Sequence, residues 1–397
     1  METSANEFAN LPLVIIGTGL AGYTVAREVR KLDRQRAIVL ISQDDGTAYS
    51  KPMLSNALAQ GKTPAALANF DAAAMALQLD ATVLTHRVVG QIHVDGHAVE
   101  FQGQRLGYSQ LVLALGADPR RPALPGSAAS EILSINDLRD YTRYRQKLET
   151  CRSVAILGAG LIGVEFANDL AAAGFGVSLI DPAAAPLARL LPTEAGDALA
   201  RTLSRHGVAM HLGNVVTDMD YAGLGYRLRL ASGTTIDTDL VVSAIGLAPR
   251  VALARAAGLQ VGQGIVTDAY CRTSAADVFA LGDCAEHDGK VQPYVLPVMH
   301  AARALAATLC GRPTPVRFPV MPVTVKTPAI PVVVAPAPAD ADNWMVDIWH
   351  EPEGESLRAL CVDPGNGRVV GFSLLGTATA KKNDLIRAME AGAEASS

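Results

Sequence analysis

Short, wholly apolar runs alternate with glycine clusters and longer amphipathic stretches along this chain. Leu13–Ile16 is one such run, ending in glycine; residues 21–31 carry apolar positions at helical spacing; Ile38–Ile41 is a second run. Apolar runs of this length read as strands buried on both faces, so the order predicts a strand, a helix and a second strand. The same order returns over 154–157, 164–173 and 177–180. A repeated unit of this kind predicts an α/β protein with two domains of one design. The stretch Asp118-Pro-Arg-Arg-Pro-Ala-Leu-Pro-Gly126, rich in proline and glycine, suits a crossing between domains. Further crossings are expected at Gly246–Arg250, after a strand over 240–245, and near Pro319–Pro322. The predicted organisation is therefore 1–118 with 247–321, then 119–246, then 322–397. In the last part, 323–334 and 344–348 read as strands, Gly365-Asn-Gly367 as a hairpin turn joining 360–362 to 369–374, and 381–391 as a helix. That tail predicts a small α+β module.

Composition narrows the picture. With 397 residues the chain exceeds one ordinary core. Its longest apolar runs, such as 111–115, fall far short of the roughly 18 to 20 residues that span a bilayer. The first ten residues include Glu2 and Glu7 and lack a basic stretch leading into an apolar one, so a soluble, cytoplasmic protein is expected. A net charge of −5 and an aromatic content of 5% supply neither the basic surface nor the stacking rings of a nucleic-acid binder. The cysteines, Cys151, Cys271, Cys284, Cys310 and Cys361, form no C-x-x-C pair and read as reduced thiols, which argues against a structural metal site.

The glycine clusters carry the first chemistry. Gly17-Thr18-Gly19-Leu20-Ala21-Gly22 follows a predicted strand and opens a predicted helix, the setting in which G-x-G-x-x-G cradles a pyrophosphate at a helix N-terminus. Asp44 or Asp45, after the second strand, is placed to accept from a ribose hydroxyl. Gly158-Ala159-Gly160-Leu161-Ile162-Gly163 repeats the device, with Asp181 closing its second strand. Two loops imply two dinucleotides, most simply an FAD that stays bound and an NAD(P)H that comes and goes. Asp181 would repel a 2′-phosphate, which predicts NADH; Arg189 is the nearest downstream arginine.

Two further segments, 111–117 and 273–286, resemble the signature segments of pyridine nucleotide-disulfide oxidoreductase-like flavoproteins. The resemblance implies that Asp283 binds the ribityl and phosphate region of FAD, and that a helix beginning near Val295 or Pro297 points its N-terminus at the flavin. Ala48-Tyr-Ser-Lys-Pro-Met-Leu-Ser55 and Met321–Pro331, together with 17–23 and 163–170, are similar to the rubredoxin-reductase branch of that family. This closer resemblance implies hydride transfer from NADH to FAD and single-electron transfer to rubredoxin, a small iron protein. It places Lys51, Pro52 and Lys326 around the flavin ring, Val88 against the adenine, and Glu165 near the flavin and the nicotinamide carboxamide. Thr18, Gln43 and Asp44 join the FAD set, and Lys51, Glu165 and Lys326 become the residues nearest the chemistry.

Two departures qualify the resemblance. More distant ferredoxin reductases carry arginine before the proline and lysine after the serine of the 48–55 motif, where this chain has Lys51 and Asn56, so their lysine–glutamate pair does not transfer unchanged. Residues 45–65 contain no cysteine, so a C-x-x-x-x-C disulfide is excluded there and an external acceptor is favoured. Cys284 beside Asp283 could be a peroxidase thiol, or an inert buried one; His300 reads as a helix residue. A ferredoxin or flavorubredoxin acceptor, or a nucleotide-sensing flavoprotein, remains open, as does whether Arg120, Arg121, Arg317, Lys381 and Lys382 gather into a docking surface.

Overall fold

The computed structural model describes residues 8–338, 340–351 and 354–394. Its residues group into two compact units, one of residues 1–51, 65–118 and 247–318, the other of 52–64, 119–246 and 319–397.

The first unit is built on a parallel five-stranded sheet in the order Val278–Ala280, Gln110–Leu113, Leu13–Ile16, Ile38–Ile41, Thr82–Leu84. Side chains of a strand alternate between faces, and here both faces are covered. Leu13 and Ile15 join a core with Tyr23, Val25 and Val29 of helix Leu20–Leu32 and with Ala302 and Leu305 of helix Val295–Leu309. Val14 and Ile16 join Ile92, Val99 and Phe101 of a three-stranded antiparallel sheet, Val89–His93, Ala98–Phe101 and Gln104–Gly107.

The second unit repeats the parallel sheet, in the order Leu133–Ser134, Leu240–Ser243, Ser153–Leu157, Gly176–Asp181, Val208–Leu212. It adds a small antiparallel sheet of Val216–Ala222, Gly225–Leu230 and Thr235–Thr238. Its C-terminal part is an antiparallel sheet in the order Val323–Val325, Val332–Ala335, Val369–Leu375, Gly354–Val362, Trp344–Glu351, with helix Lys382–Glu394 against it.

The α/β class, both repeated units and the hairpin at Gly365–Gly367 follow the expected pattern. Three details differ. The run expected as strand over 323–334 is two strands separated by a loop, because Pro328 and Pro331 cannot donate to a ladder; Thr327 Oγ1 closes the loop on the Ile330 carbonyl at 2.7 Å. The strand expected over 240–245 stops at Ser243, before Gly246 with φ of +107°. Residues 52–64, assigned from the sequence to the first domain, group with the second unit.

Candidate functional site

In the first glycine loop the three glycines have different causes. Gly17 adopts φ of +114°, and a Cβ there would overlap the Ala114 carbonyl; a Cβ on Gly22 would overlap the Gly17 carbonyl. Both are demanded by the chain's own close approaches. Gly19 is not: its φ is −72° and nothing lies within 4 Å of the position a Cβ would take. It caps helix Leu20–Leu32 without any side-chain hydrogen bond. The backbone is thus left open at the positive end of the helix, as a phosphate cradle requires.

The acid after the second strand reaches this loop through two hydroxyls. Asp44 Oδ1 accepts from the Ser42 hydroxyl and from the Gly46 amide, the latter at 2.9 Å, and Ser42 Oγ lies 2.6 Å from Thr18 Oγ1. Gln43 is exposed between them. The amides of His86 and Arg87 donate to the Asp44 and Ser42 carbonyls, which sets exposed Val88 beside the same segment. Asp283 stands on the turn Gly282–Cys284, where burial pushes its carboxyl up and nearby Lys51 opposes the shift. Helix Val295–Leu309 starts at Tyr294 with no side-chain cap, and Val295 and Leu296 are exposed. His300 lies within that helix. The Cys284 thiol is buried, bonded at 3.4 Å to the Leu113 and Leu281 carbonyls, and pushed up to about 11 by burial. Such a thiol is protonated at neutral pH and unsuited to peroxidase chemistry.

The second loop repeats the geometry. Gly158 has φ of +104°, a Cβ on it would stand 2.7 Å from the Ala244 carbonyl oxygen, and one on Gly163 would overlap the Gly158 carbonyl. Gly160, the N-cap of helix Leu161–Ala172, again faces open space. Here the acid holds the loop directly: Asp181 Oδ2 accepts from the Ala159 amide at 2.6 Å and Oδ1 from the Ala183 amide at 2.7 Å. Arg189 is exposed.

Helix Leu161–Ala172 also carries an unusual buried face. Glu165, Asn168 and Asp169 are 0%, 4% and 3% exposed. Buried carboxylates demand partners, and these have them. Glu165 Oε2 accepts from Lys326 Nζ at 2.5 Å and from the Ser55 hydroxyl, while Oε1 accepts from the Lys326 amide at 3.0 Å. Lys326 Nζ also donates to Ser55 Oγ at 3.3 Å. Asn168 Oδ1 accepts from the Ala329 amide at 3.2 Å. Asp169 accepts from the Leu58 and Ala59 amides at 3.0 and 2.9 Å, although burial still pushes its carboxyl up.

The structure therefore joins two residues singled out separately in the sequence, Glu165 and Lys326. A lysine–glutamate pair does exist, with its lysine supplied by the 326–331 loop rather than by the position after Ser55. Sequence reasoning missed Ser55, Asn168 and Asp169 as members of this cluster. The available signal was three polar residues at i, i+3 and i+4 in an otherwise apolar helix. Arg120, Arg121, Arg317 and Lys381 are exposed.

A model of the pyridine nucleotide-disulphide oxidoreductase family matches residues 11–306. The chain belongs to that family. A second model, for a rubredoxin binding C-terminal domain, matches residues 315–389. The chain is 46% identical to a rubredoxin-NAD(+) reductase of Alcanivorax borkumensis, over 96% of this chain and 99% of that one. It is 42% identical to the rubredoxin-NAD(+) reductase of Acinetobacter baylyi, over 94% and 95%. Among solved structures of the fold, a covalent putidaredoxin reductase–putidaredoxin complex superposes with a TM-score of 0.86 at 26% identity, covering 96% of this chain and 93% of that one. Among the described residues, no helix is long and apolar enough to cross a membrane, and no group of His, Cys, Asp or Glu is arranged to hold a metal ion.

Proposed function

We propose that this chain is an FAD-dependent NADH:rubredoxin reductase of the cytoplasm, feeding an electron-transfer chain such as one for alkane hydroxylation. The observation that carries the reading is the rubredoxin-binding match over 315–389, in a chain that aligns with rubredoxin-NAD(+) reductases nearly end to end. The domains are 1–118 with 247–321 for FAD, 119–246 for NADH, and 322–397 for the acceptor. A dinucleotide-type loop at Gly17–Gly22, with an open middle glycine, supports FAD over a mononucleotide.

When bound, the flavin accepts a hydride and releases electrons one at a time. The protein's task is binding, orientation and electrostatics. Gly17, Thr18, Gly19 and Gly22 offer backbone N–H groups to the FAD pyrophosphate. Gln43 and Asp44 serve the adenosine ribose, and the Val88 backbone serves the adenine. Asp283 accepts from ribityl hydroxyls. Pro52 lies beside the ring, while Lys51, Lys326 and the helix beginning at Val295 favour added negative charge on it. Gly158, Gly160 and Gly163 bind the NADH pyrophosphate, and Asp181 accepts from its adenosine ribose. Glu165 and Lys326, paired as described, orient the reacting groups.

NADH-dependent reduction of cytochrome c, with and without added rubredoxin, tests the proposal. Strong dependence on rubredoxin is expected. A preference for ferredoxin, or a long-lived NADH complex with no preferred acceptor, contradicts it.

A further inference from the structure

Polar residues on the buried face of a short helix cost stability unless every one is satisfied, and alanine or leucine would fill the space more simply. Helix Leu161–Ala172 nevertheless buries three in one turn, and each hooks a different piece of backbone. Asp169 takes the amides of Leu58 and Ala59, Asn168 that of Ala329, and Glu165 that of Lys326. Segment 52–64 is mostly irregular, so it owes its course to such ties. Arg145, from helix Leu138–Leu148, adds another by donating to the Lys62 carbonyl at 2.6 Å. The result is that Ser55, three residues before the first Asp169 contact, is 2% exposed with its hydroxyl between Glu165 and Lys326.

We infer that Asp169 and Ser55 are positioning residues for Lys326: Asp169 latches segment 52–64, and the Ser55 hydroxyl so placed holds the ammonium in one orientation against Glu165. An ammonium has three N–H donors. Glu165 and Ser55 take two, which leaves the third aimed in a fixed direction for a reacting group. The latch stands on the helix that begins at the Gly158–Gly163 loop, so dinucleotide binding and lysine orientation share one rigid element. The inference rests on the reading of the chain as an NADH-oxidising flavoprotein.

The test uses the FAD-loaded protein and its Ser55→Ala, Asp169→Asn and doubly substituted variants. Asp169→Asn sets an amide donor against two backbone donors, so at least one tie is lost. Lys326 acetylation by acetic anhydride, read by peptide mass spectrometry, should rise several-fold in each variant, with exposed Lys31 as internal control. Hydrogen exchange at Leu58 and Ala59 should accelerate in Asp169→Asn but not in Ser55→Ala. Anaerobic flavin reduction by NADH should slow about tenfold or more in both, because small misplacements are costly. The NADH dissociation constant should be unchanged, the double variant no slower than the slower single one, and Ser55→Thr should recover much of the rate. Wild-type labelling of Lys326 in both single variants, or additive losses in the double, overturns the inference. If Asp169→Asn does not fold, labelling and rate in Ser55→Ala and Ser55→Thr decide. A wild-type flavin that NADH fails to reduce would sink the functional reading instead, and the labelling arm would still judge the latch.

Discussion

The two glycine loops share closely similar glycine backbone angles, yet the helices that follow them differ. Gly19 and Gly160 cap their helices at φ of −72° and −73°, and both leave the space of a missing side chain open. Helix Leu20–Leu32 buries Tyr23, Val25, Ala26 and Val29 in a core shared with a second helix. Helix Leu161–Ala172 buries Glu165, Asn168 and Asp169 beside its apolar Val164, Phe166, Ala167 and Leu170. The first loop is tied to Asp44 through Thr18 and Ser42, the second directly from Asp181 to the Ala159 amide. On the proposed reading, the difference teaches that the glycines provide for a dinucleotide, while the buried face of the following helix sets what is done with it. A largely apolar face suits a resident cofactor, and one with buried polar residues connects a co-substrate to reacting groups.

The comparison breaks most visibly at the third glycines. In Gly22→Ala or Gly163→Ala the new Cβ would overlap the carbonyl of the first glycine, so the loop must shift. Gly22→Ala should be isolated largely without flavin, read from the ratio of flavin to protein absorbance. Gly163→Ala should keep its flavin and lose reduction by NADH in stopped flow. A Gly163→Ala protein that also lacks flavin would show that the loops do not divide the roles.

The polar face comes next. Glu165→Ala leaves the partly buried Lys326 ammonium without its counter-charge, with only the Ser55 hydroxyl among the partners described, and breaking a buried pair in this way costs about 3 kcal/mol, the low end because the lysine is partly exposed. Chemical denaturation should register the loss, and Glu165→Gln, which keeps an acceptor, should lose less. A change below the scatter of the measurement would remove the pair from the stability account.

A smaller effect is expected at Asp181. Like charges about 4 Å apart in water-like surroundings repel by ~1 kcal/mol, about fivefold in preference. Native protein should favour NADH, and Asp181→Ser should narrow the ratio of the two steady-state rates. An unchanged ratio would assign the choice elsewhere.

The mildest effect concerns alkali. Burial pushes Cys284 up to about 11 and Cys271 up to about 12, from an ordinary value of 9.0. Both stay protonated when folded but ionise above pH 9 when unfolded. Their stabilising contribution is therefore fully present below pH 9 and lost as pH rises towards 11 and 12. Tm should hold between pH 7 and 8.5 and fall between 9 and 10.5, and native protein at pH 8 should leave both thiols unalkylated. Rapid alkylation of Cys284 would contradict its burial.

The strands and loops were legible because their signals are local. Runs of four apolar residues mark strands covered on both faces, and each glycine loop shows its three glycines within six residues, although the atoms that crowd Gly17 and Gly158 belong to distant Ala114 and Ala244. The Ser55–Glu165–Lys326 cluster was not, because its members lie 110 and 161 positions apart and no local pattern pairs them. Glu165 and Lys326 were nameable singly through family resemblance. Ser55, Asn168 and Asp169 were visible as polar residues in apolar surroundings but not as partners. Segment 52–64 groups with the second unit for the same reason: besides its local turns, it is tied to the distant side chains of Asp169 and Arg145. The loop at 326–331 was announced by Pro328 and Pro331, yet the valines on either side masked the break.

The central claim, that a hydride taken from NADH leaves as single electrons to rubredoxin, is tested most directly by anaerobic titration of the FAD-loaded protein. One equivalent of NADH should bleach the flavin completely, and two equivalents of oxidised rubredoxin should restore it, since each iron accepts one electron. A requirement for more than one NADH would reveal a second redox centre. Flavin that stays bleached in the presence of oxidised rubredoxin would contradict the account.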